Sequence, residues 1–516
     1  MAVTGKPLES VAVRNEVVAE LAALLGALGA TLALVPRARL ALVAGLVVIA
    51  AAEGMLGATL LDGDEARALV ASPPRVGLAV ACVLVVFAGA FLFVRFPAVV
   101  PVALLLAAPF RIPIEAADEK RLLLLPLYAV LTSAALALAY RAVRREDLPP
   151  SRLLAGVAIF VGLAAVSLTW SQDVRSGTIS LALVLFPFAL LVAVLARTPY
   201  REWLPRRLAE ALVALASAFA LLGLWQLRSK DLFFARDVEA ANANAGFFRV
   251  TAVFNDPSIY GRFLAVAIVV LLVALWLGRM SLRSGLALIA LLAAGLFFAY
   301  SQSSLVALFV GVLATTLATS GRRRRRMILA ASAVLVLTTV GLVFAISRDD
   351  PLRRVTSGRS DLVANTTEVI REHPVFGVGI GAERRASREQ AEAHGRRLGK
   401  ASHTAVLTVA AELGALGIAA LIVFFVAAGA LFVAARTRDE ALGIGLGAVF
   451  LVIFVHSIFY SGFFEDPLVW GTIGVAAAAR LARPAVEAAR PTPTPTPTPA
   501  RVQPEPVTAV RRSTRA

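Results

Sequence analysis

The sequence predicts an all-α polytopic membrane protein, a bundle of about twelve to fifteen transmembrane helices with a large, partly helical outer loop. Three observations carry that prediction. Of 516 residues, 59% are hydrophobic and 16% charged, with a mean hydropathy of +0.80. Soluble domains run at about 45–50% apolar and about 25% charged. Apolar stretches recur from Leu21 to Leu481, each bounded by Arg, Asp, Glu or Pro, and a bilayer core of about 30 Å takes about 20 such residues per helix. The stretches are continuous and do not alternate, which excludes a transmembrane barrel.

The elements follow in order. The tail 1–17 opens on the polar MAVTGKPLES and carries no cleavable signal, so the first helix inserts directly. N-terminal helices fill 18–227: 18–35, 40–60, 76–94, a Pro-interrupted 97–109, 122–140, 153–170, 178–196 and 208–227. Residues 228–259 are too polar to span and too long for a turn, and form an outer loop. Helices at 261–277, 284–300, 303–319 and 327–346 complete the block 260–346. A second outer segment, 347–402, follows, and then the C-terminal block 403–482 with helices at 404–434, 441–460 and 467–482. In the tail 483–516 the run RPTPTPTPTPA alternates Pro and Thr, which favours an extended, disordered cytoplasmic tail.

Charge sorts the loops. One set holds Arg141, Arg144, Arg145 and Arg152; Arg197, Arg201, Arg206 and Arg207; Arg279 and Arg283; Arg322 to Arg326; and Arg436 and Arg438. The opposite short loops, 171–177, 301–302 and 461–466, offer only Arg175. The positive-inside rule places the first set in the cytoplasm and both long segments outside. The eleven Lys and Arg of 347–402 argue the other way, and the short loops outweigh them. The net charge of +17 is thus orientation charge beside anionic lipid, and no nucleic-acid partner is expected. The single cysteine, Cys82, lies in an apolar run and excludes an intramolecular disulfide or a cysteine metal cluster.

Chemistry concentrates in the two outer segments. In 347–402, Arg353, Arg354 and Arg359 precede a helical stretch Asp361–Arg371 that ends before Pro374. Gly377, Gly379 and Gly381 then permit a tight, close-packed turn, and Arg384, Arg385, Arg388, Arg396, Arg397 and Lys400 follow. His403 stands where the chain re-enters the membrane. A neutral imidazole there can take a proton from an alcohol, and nearby guanidiniums match phosphate oxygens bidentately. A polar anchor is the competing role. In 228–259, Asn255-Asp256-Pro257 reads as a helix start with a capping side chain. Arg249 and Arg262 suit either ligand contact or snorkelling to lipid phosphate. Glu412, inside the last long core helix, is paired or faces a cavity, as structure or catalysis. His373 and His394 read as solvated, and His456 as bonded to Glu465 or Asp466 or lining a cavity.

Five segments in this order resemble the O-antigen ligase and O-antigen polymerase superfamily, which includes membrane O-oligosaccharyltransferases. They are RVTAVFNDPSIYGRFLA from Arg249, YSQSSLVAL at 300–308, SGRSD at 357–361, HPVFGVGIG at 373–381, and SHTAVLTVAAELGALG at 402–417. The resemblance implies a metal-independent, cofactor-free glycosyltransferase of the cytoplasmic (inner) membrane. Its donor is a glycan on undecaprenyl diphosphate, presented at the outer face beside membrane lipid. The acceptor is a glycan, lipid or protein. It also implies catalytic His403, donor-diphosphate binding by Arg249 and Arg359, and rim or support roles for Arg262, Arg353, Arg354 and Glu412. Two departures stand out. Many members have Ser-Arg at Ser301-Gln302 and His-Asn at His403-Thr404.

Ligase, polymerase and protein O-oligosaccharyltransferase remain alternatives within that superfamily. No HExxH, CxxC, P-loop or Asp-rich cluster occurs, which disfavours a metal-dependent nucleotide-sugar transferase. A lipid-linked solute transporter or flippase is the reading from another class. It predicts related halves with broken helices at the midplane, and the chain shows no such repeat.

Overall fold

The computed structural model describes residues 6–36, 38–61, 73–116, 119–144, 152–233, 235–321, 323–329, 332, 359–395, 404–460 and 462–481. The expected helix 327–346 (past its first turn) and the tail 483–516 lie outside them. The N-terminal helices are α1 (Lys6–Leu34), α2 (Arg39–Leu60), α3 (Pro73–Arg95), α4 (Val100–Ala107), α5 (Leu125–Val143), α6 (Ala155–Val166), α7 (Val174–Ser180), α8 (Phe186–Ala196) and α9 (Leu204–Ser229). After them come α10 (Arg236–Ala243), α11 (Pro257–Trp276), α12 (Leu282–Ala299), α13 (Gln302–Thr319), α14 (Arg359–Glu372) and α15 (Glu383–Ala393). The last three are α16 (Ala405–Arg438), α17 (Glu440–Phe459) and α18 (Pro467–Leu481).

Among the described residues, 11 helices are long and apolar enough to cross a membrane, and the shorter Pro97–Ala107 and Ala155–Trp170 are apolar too. The chain is a polytopic helical membrane protein. One local element departs from the sequence expectation. Strands β1 (Ile112–Ala116) and β2 (Glu119–Leu123) pair antiparallel where a helix was expected from residue 122. The polar sequence AADEKR at 116–121 cannot enter a bilayer, and α5 starts only at Leu125, with Pro126 in its first turn.

Hydrophobicity alone does not say which face packs, because lipid is as apolar as the core. Small residues decide it. Gly29 lies against Ile49, and Gly45 against Ala33, so α1 and α2 approach backbone to backbone. α11 is the most enclosed span, whereas α3 is largely exposed.

The two loop sets separate to opposite ends. At one end Arg279 pairs with Asp439 at 2.9 Å, Arg438 lies over the Tyr200 ring, and Arg436 donates to the Ala318 carbonyl. At the other, the 171–173 turn bonds to 378–380, Phe298 accepts from Val250, and Thr404 donates to the Ile458 carbonyl. Arg279, Arg436 and Arg438 thus share one end, and the described stretches around Val250 and 378–380 lie at the other.

Candidate functional site

At the end opposite the arginine-rich loops, the segment bearing Arg249 is clamped. Gln226 in the last turns of α9 is fully buried and completes three hydrogen bonds to it. Its Oε1 accepts from the Thr251 and Ala252 amides at 3.0 and 2.7 Å, and its Nε2 donates to the Ala252 carbonyl at 3.0 Å. Ala252 adopts a left-handed φ of 50°, a cost that this clamp offsets. Asn242 holds the Arg249 backbone through both its N–H and its C=O. The Arg249 side chain is half-buried, and its Nε donates to the Ala299 carbonyl at 3.1 Å. Among the described residues its terminal nitrogens have no hydrogen-bond partner. A fork held at its base, with its tips available, suits an anion.

Beside it, Asp256 caps α11. Its Oδ1 accepts from the Ser258 and Ile259 amides, as the Asn-Asp-Pro pattern predicts. Its Oδ2 accepts from the Tyr460 hydroxyl at 2.6 Å. Arg262, one turn further on, is buried. Its Nη2 meets Asp466 Oδ2 at 2.7 Å, and its Nη1 donates to the Gly462 carbonyl at 3.2 Å. Its guanidinium is thus held inside the protein, at the edge of a small pocket that Arg111 and Asp466 also line. Burial pushes the Glu465 carboxyl above the usual range, while Arg262 and Arg111 act in the opposite sense.

His456 is fully buried, and its Nε2 meets Ser303 Oγ at 3.1 Å, so its partner is neither Glu465 nor Asp466. Ser301, which caps α13, hydrogen-bonds to Ser303 and Ser304, and Ser304 donates to the Ser258 carbonyl. Gln302, between these serines, is exposed.

The glycine segment 374–381 is a strap. Gly377, Gly379 and Gly381 have φ of 67°, 88° and 79°. A Cβ on them would overlap the Glu412 carbonyl, Ser171 and the Gly177 amide, respectively. Only glycine lets three backbones approach this closely. The strap enters a break in α16, where Gly414 (φ 61°) is non-helical. The Val378 and Gly379 amides donate to the Ala411 and Glu412 carbonyls, and the Ala415 amide to Pro374. The Glu412 carboxylate faces the Gly381 and Glu383 backbone N–H groups. Glu383 itself is buried against Thr366 and Ser387.

Of the residues expected at the site, Arg249 and Arg262 lie close to the Tyr460–Asp466 turn, and Glu412 lies under the strap. Arg359 begins α14, and its side chain lies outside the described residues, as do Arg353, Arg354 and His403. Thr404, next after His403, donates to the Ile458 carbonyl at 3.0 Å, two residues before Tyr460. Sequence reasoning missed Gln226, Tyr460 and Asp466. A glutamine and a tyrosine near helix ends carry no motif, and only the buried Arg262 signals that Asp466 must pair.

A family model for O-antigen ligase matches residues 286–422, from the first turns of α12 to the middle of α16. The resemblance to the O-antigen ligase and polymerase superfamily therefore holds over that segment. It includes Arg353, Arg354, Arg359, His403 and Glu412, whereas Arg249 and Arg262 precede it. The comparison with curated proteins gives no match.

Proposed function

We propose that this chain, whose segment 286–422 matches the O-antigen ligase family, is a membrane glycosyltransferase of the ligase type. It moves a glycan from undecaprenyl diphosphate to an acceptor hydroxyl at the outer face of the cytoplasmic membrane. The observation that carries this reading is Arg249: clamped at its base, with available terminal nitrogens, beside the turn at which Thr404 and α17 meet. The electrostatic influence of Arg249 on Tyr460 fits that proximity.

In this mechanism the imidazole of His403, neutral at working pH, takes the proton of the acceptor hydroxyl. The hydroxyl oxygen bonds to the anomeric carbon as the carbon–oxygen bond to the diphosphate breaks. Undecaprenyl diphosphate leaves with the electron pair, and the configuration inverts. A diphosphate is already a good leaving group, so Arg249 and Arg359 offset its charge instead of protonating it. A single displacement is the step that a histidine base supports, whereas retaining sites pair two carboxylates. The residues that act need no metal.

Membranes containing the chain, supplied with lipid-linked glycan and candidate acceptors, test this directly. General-base catalysis contributes about 10²–10⁴-fold, so His403→Ala should nearly abolish transfer while leaving donor binding intact. Arg359→Ala should weaken both. Near-normal turnover by His403→Ala at equal expression sinks this base and makes Glu412 the next to test. Product identity with glycan, lipid and protein acceptors separates ligase from polymerase and O-oligosaccharyltransferase.

A further inference from the structure

A cavity of about 1160 Å³ runs chiefly between six helices, α4, α9, α11, α12, α17 and α18, and Leu127 of α5 and Leu191 and Leu195 of α8 also line it. Its wall is mostly hydrocarbon, including Leu104, Leu212, Val270, Leu288 and Leu446. Its charged lining residues, Glu202, Arg206, Glu210 and Arg279, all stand at the arginine-loop end, with Ser281 and Ser284 beside them. At the other end it reaches Ala108, Pro467 and Leu468.

The Arg111, Arg262 and Asp466 pocket shares those three residues but has a volume of only about 30 Å³. That is roughly the share of one water molecule. Arg262 there is already committed to Asp466. A diphosphate with its sugar does not fit that pocket. The charged residues that line the large cavity all stand at the arginine-loop end, so a polar head is complemented there.

The charge pattern there selects the head group. Arg206 pairs with Glu210 at 2.7 Å and Arg279 with Asp439 at 2.9 Å, and their side chains are 83% and 48% exposed. Glu202 and Glu210 would repel a polyanion, and the two guanidiniums, each already paired with a carboxylate, would hold it poorly. They complement a phosphate next to an ammonium. We propose that the cavity binds a zwitterionic diacyl glycerophospholipid, with its head at the arginine-loop end and its chains between the six helices. The site lies apart from Arg249 and does not depend on the glycosyl-transfer reading.

Gly445 and Gly471 line the cavity, and nothing lies within 4 Å of a Cβ added to either. Leucine at both positions fills the space without overlapping backbone. The full chain is purified from native membranes in mild detergent, washed with detergent, and its retained lipids are measured by mass spectrometry. The wild type should keep one zwitterionic phospholipid per chain. Gly445→Leu/Gly471→Leu should keep none while its thermal midpoint and elution volume are unchanged. His403→Ala should retain the lipid even with transfer lost, which separates the two proposals. Retention of an isoprenoid phosphate instead, equal phospholipid in the double variant, or a wild-type chain that emerges delipidated would each overturn the assignment. If the double variant misfolds, Leu446→Trp provides the same filling from a neighbouring position of α17 that also lines the cavity, and must give the same loss.

Discussion

Tyr460 donates its hydroxyl proton to the Asp256 carboxylate at 2.6 Å across 204 residues of sequence. This bond joins the start of α11 to the end of α17, and so ties the Arg249 segment to the turn that holds Asp466. A hydrogen bond to a charged group contributes about 1.5–3 kcal/mol, which makes Tyr460 a fastening point of the candidate site.

Tyr460→Phe should lower stability by about that amount and reveal itself in pH dependence. Burial, and then the Asp256 charge, raise the Tyr460 phenol above its ordinary value of 10.0. The folded state therefore holds this proton more tightly than the unfolded state. Its stabilisation is complete below the ordinary value and declines as pH rises above it. Thermal midpoints in detergent should fall as pH rises above about 10 in the wild type, and less steeply in Tyr460→Phe. Parallel curves would show that this bond does not titrate as argued.

Gln226→Leu removes three hydrogen bonds and leaves the Thr251 and Ala252 amides unpaired in a buried place. Each stranded group costs about 1–3 kcal/mol, enough to release the left-handed Ala252. Donor affinity should fall as in Arg249→Ala, although Arg249 is present. Unchanged donor binding by Gln226→Leu would show that the clamp is dispensable.

Arg262→Ala leaves the Asp466 carboxylate buried without its counter-charge. Breaking a buried pair costs about 3–5 kcal/mol. The variant should express poorly or unfold early, and Arg262→Ala/Asp466→Ala should recover part of the midpoint. A stable Arg262→Ala with selective loss of donor binding would move Arg262 from support to ligand contact.

Gly377→Ala places a Cβ on the Glu412 carbonyl at a φ of 67°, which L-residues rarely adopt. The strap must leave the α16 break. Limited proteolysis around 374–381 should accelerate, whereas Gly395→Ala, strained by its own positive φ but with nothing within 4 Å of the added Cβ, should leave 374–381 protected. Equal protease resistance of the two variants would discount the strap.

The helical bundle was legible in the sequence because it is set by solvent. An apolar run of bilayer length has no other stable environment. The glycines of 373–381 were likewise legible as a close-packed turn, since positive φ is a property of the local backbone. What the turn packs against was not. That Gly377 meets Glu412, and that α16 breaks at Gly414 to receive it, depends on a second segment more than 30 residues away. The partners of Arg262 and His456 were open for the same reason. A buried polar group must find a partner, but sequence states only the need, and Asp466 and Ser303 lie 204 and 153 residues away. Within a lipid solvent every apolar face looks alike, so the choice among helix contacts, and with it the phospholipid-sized cavity, belongs to tertiary packing alone.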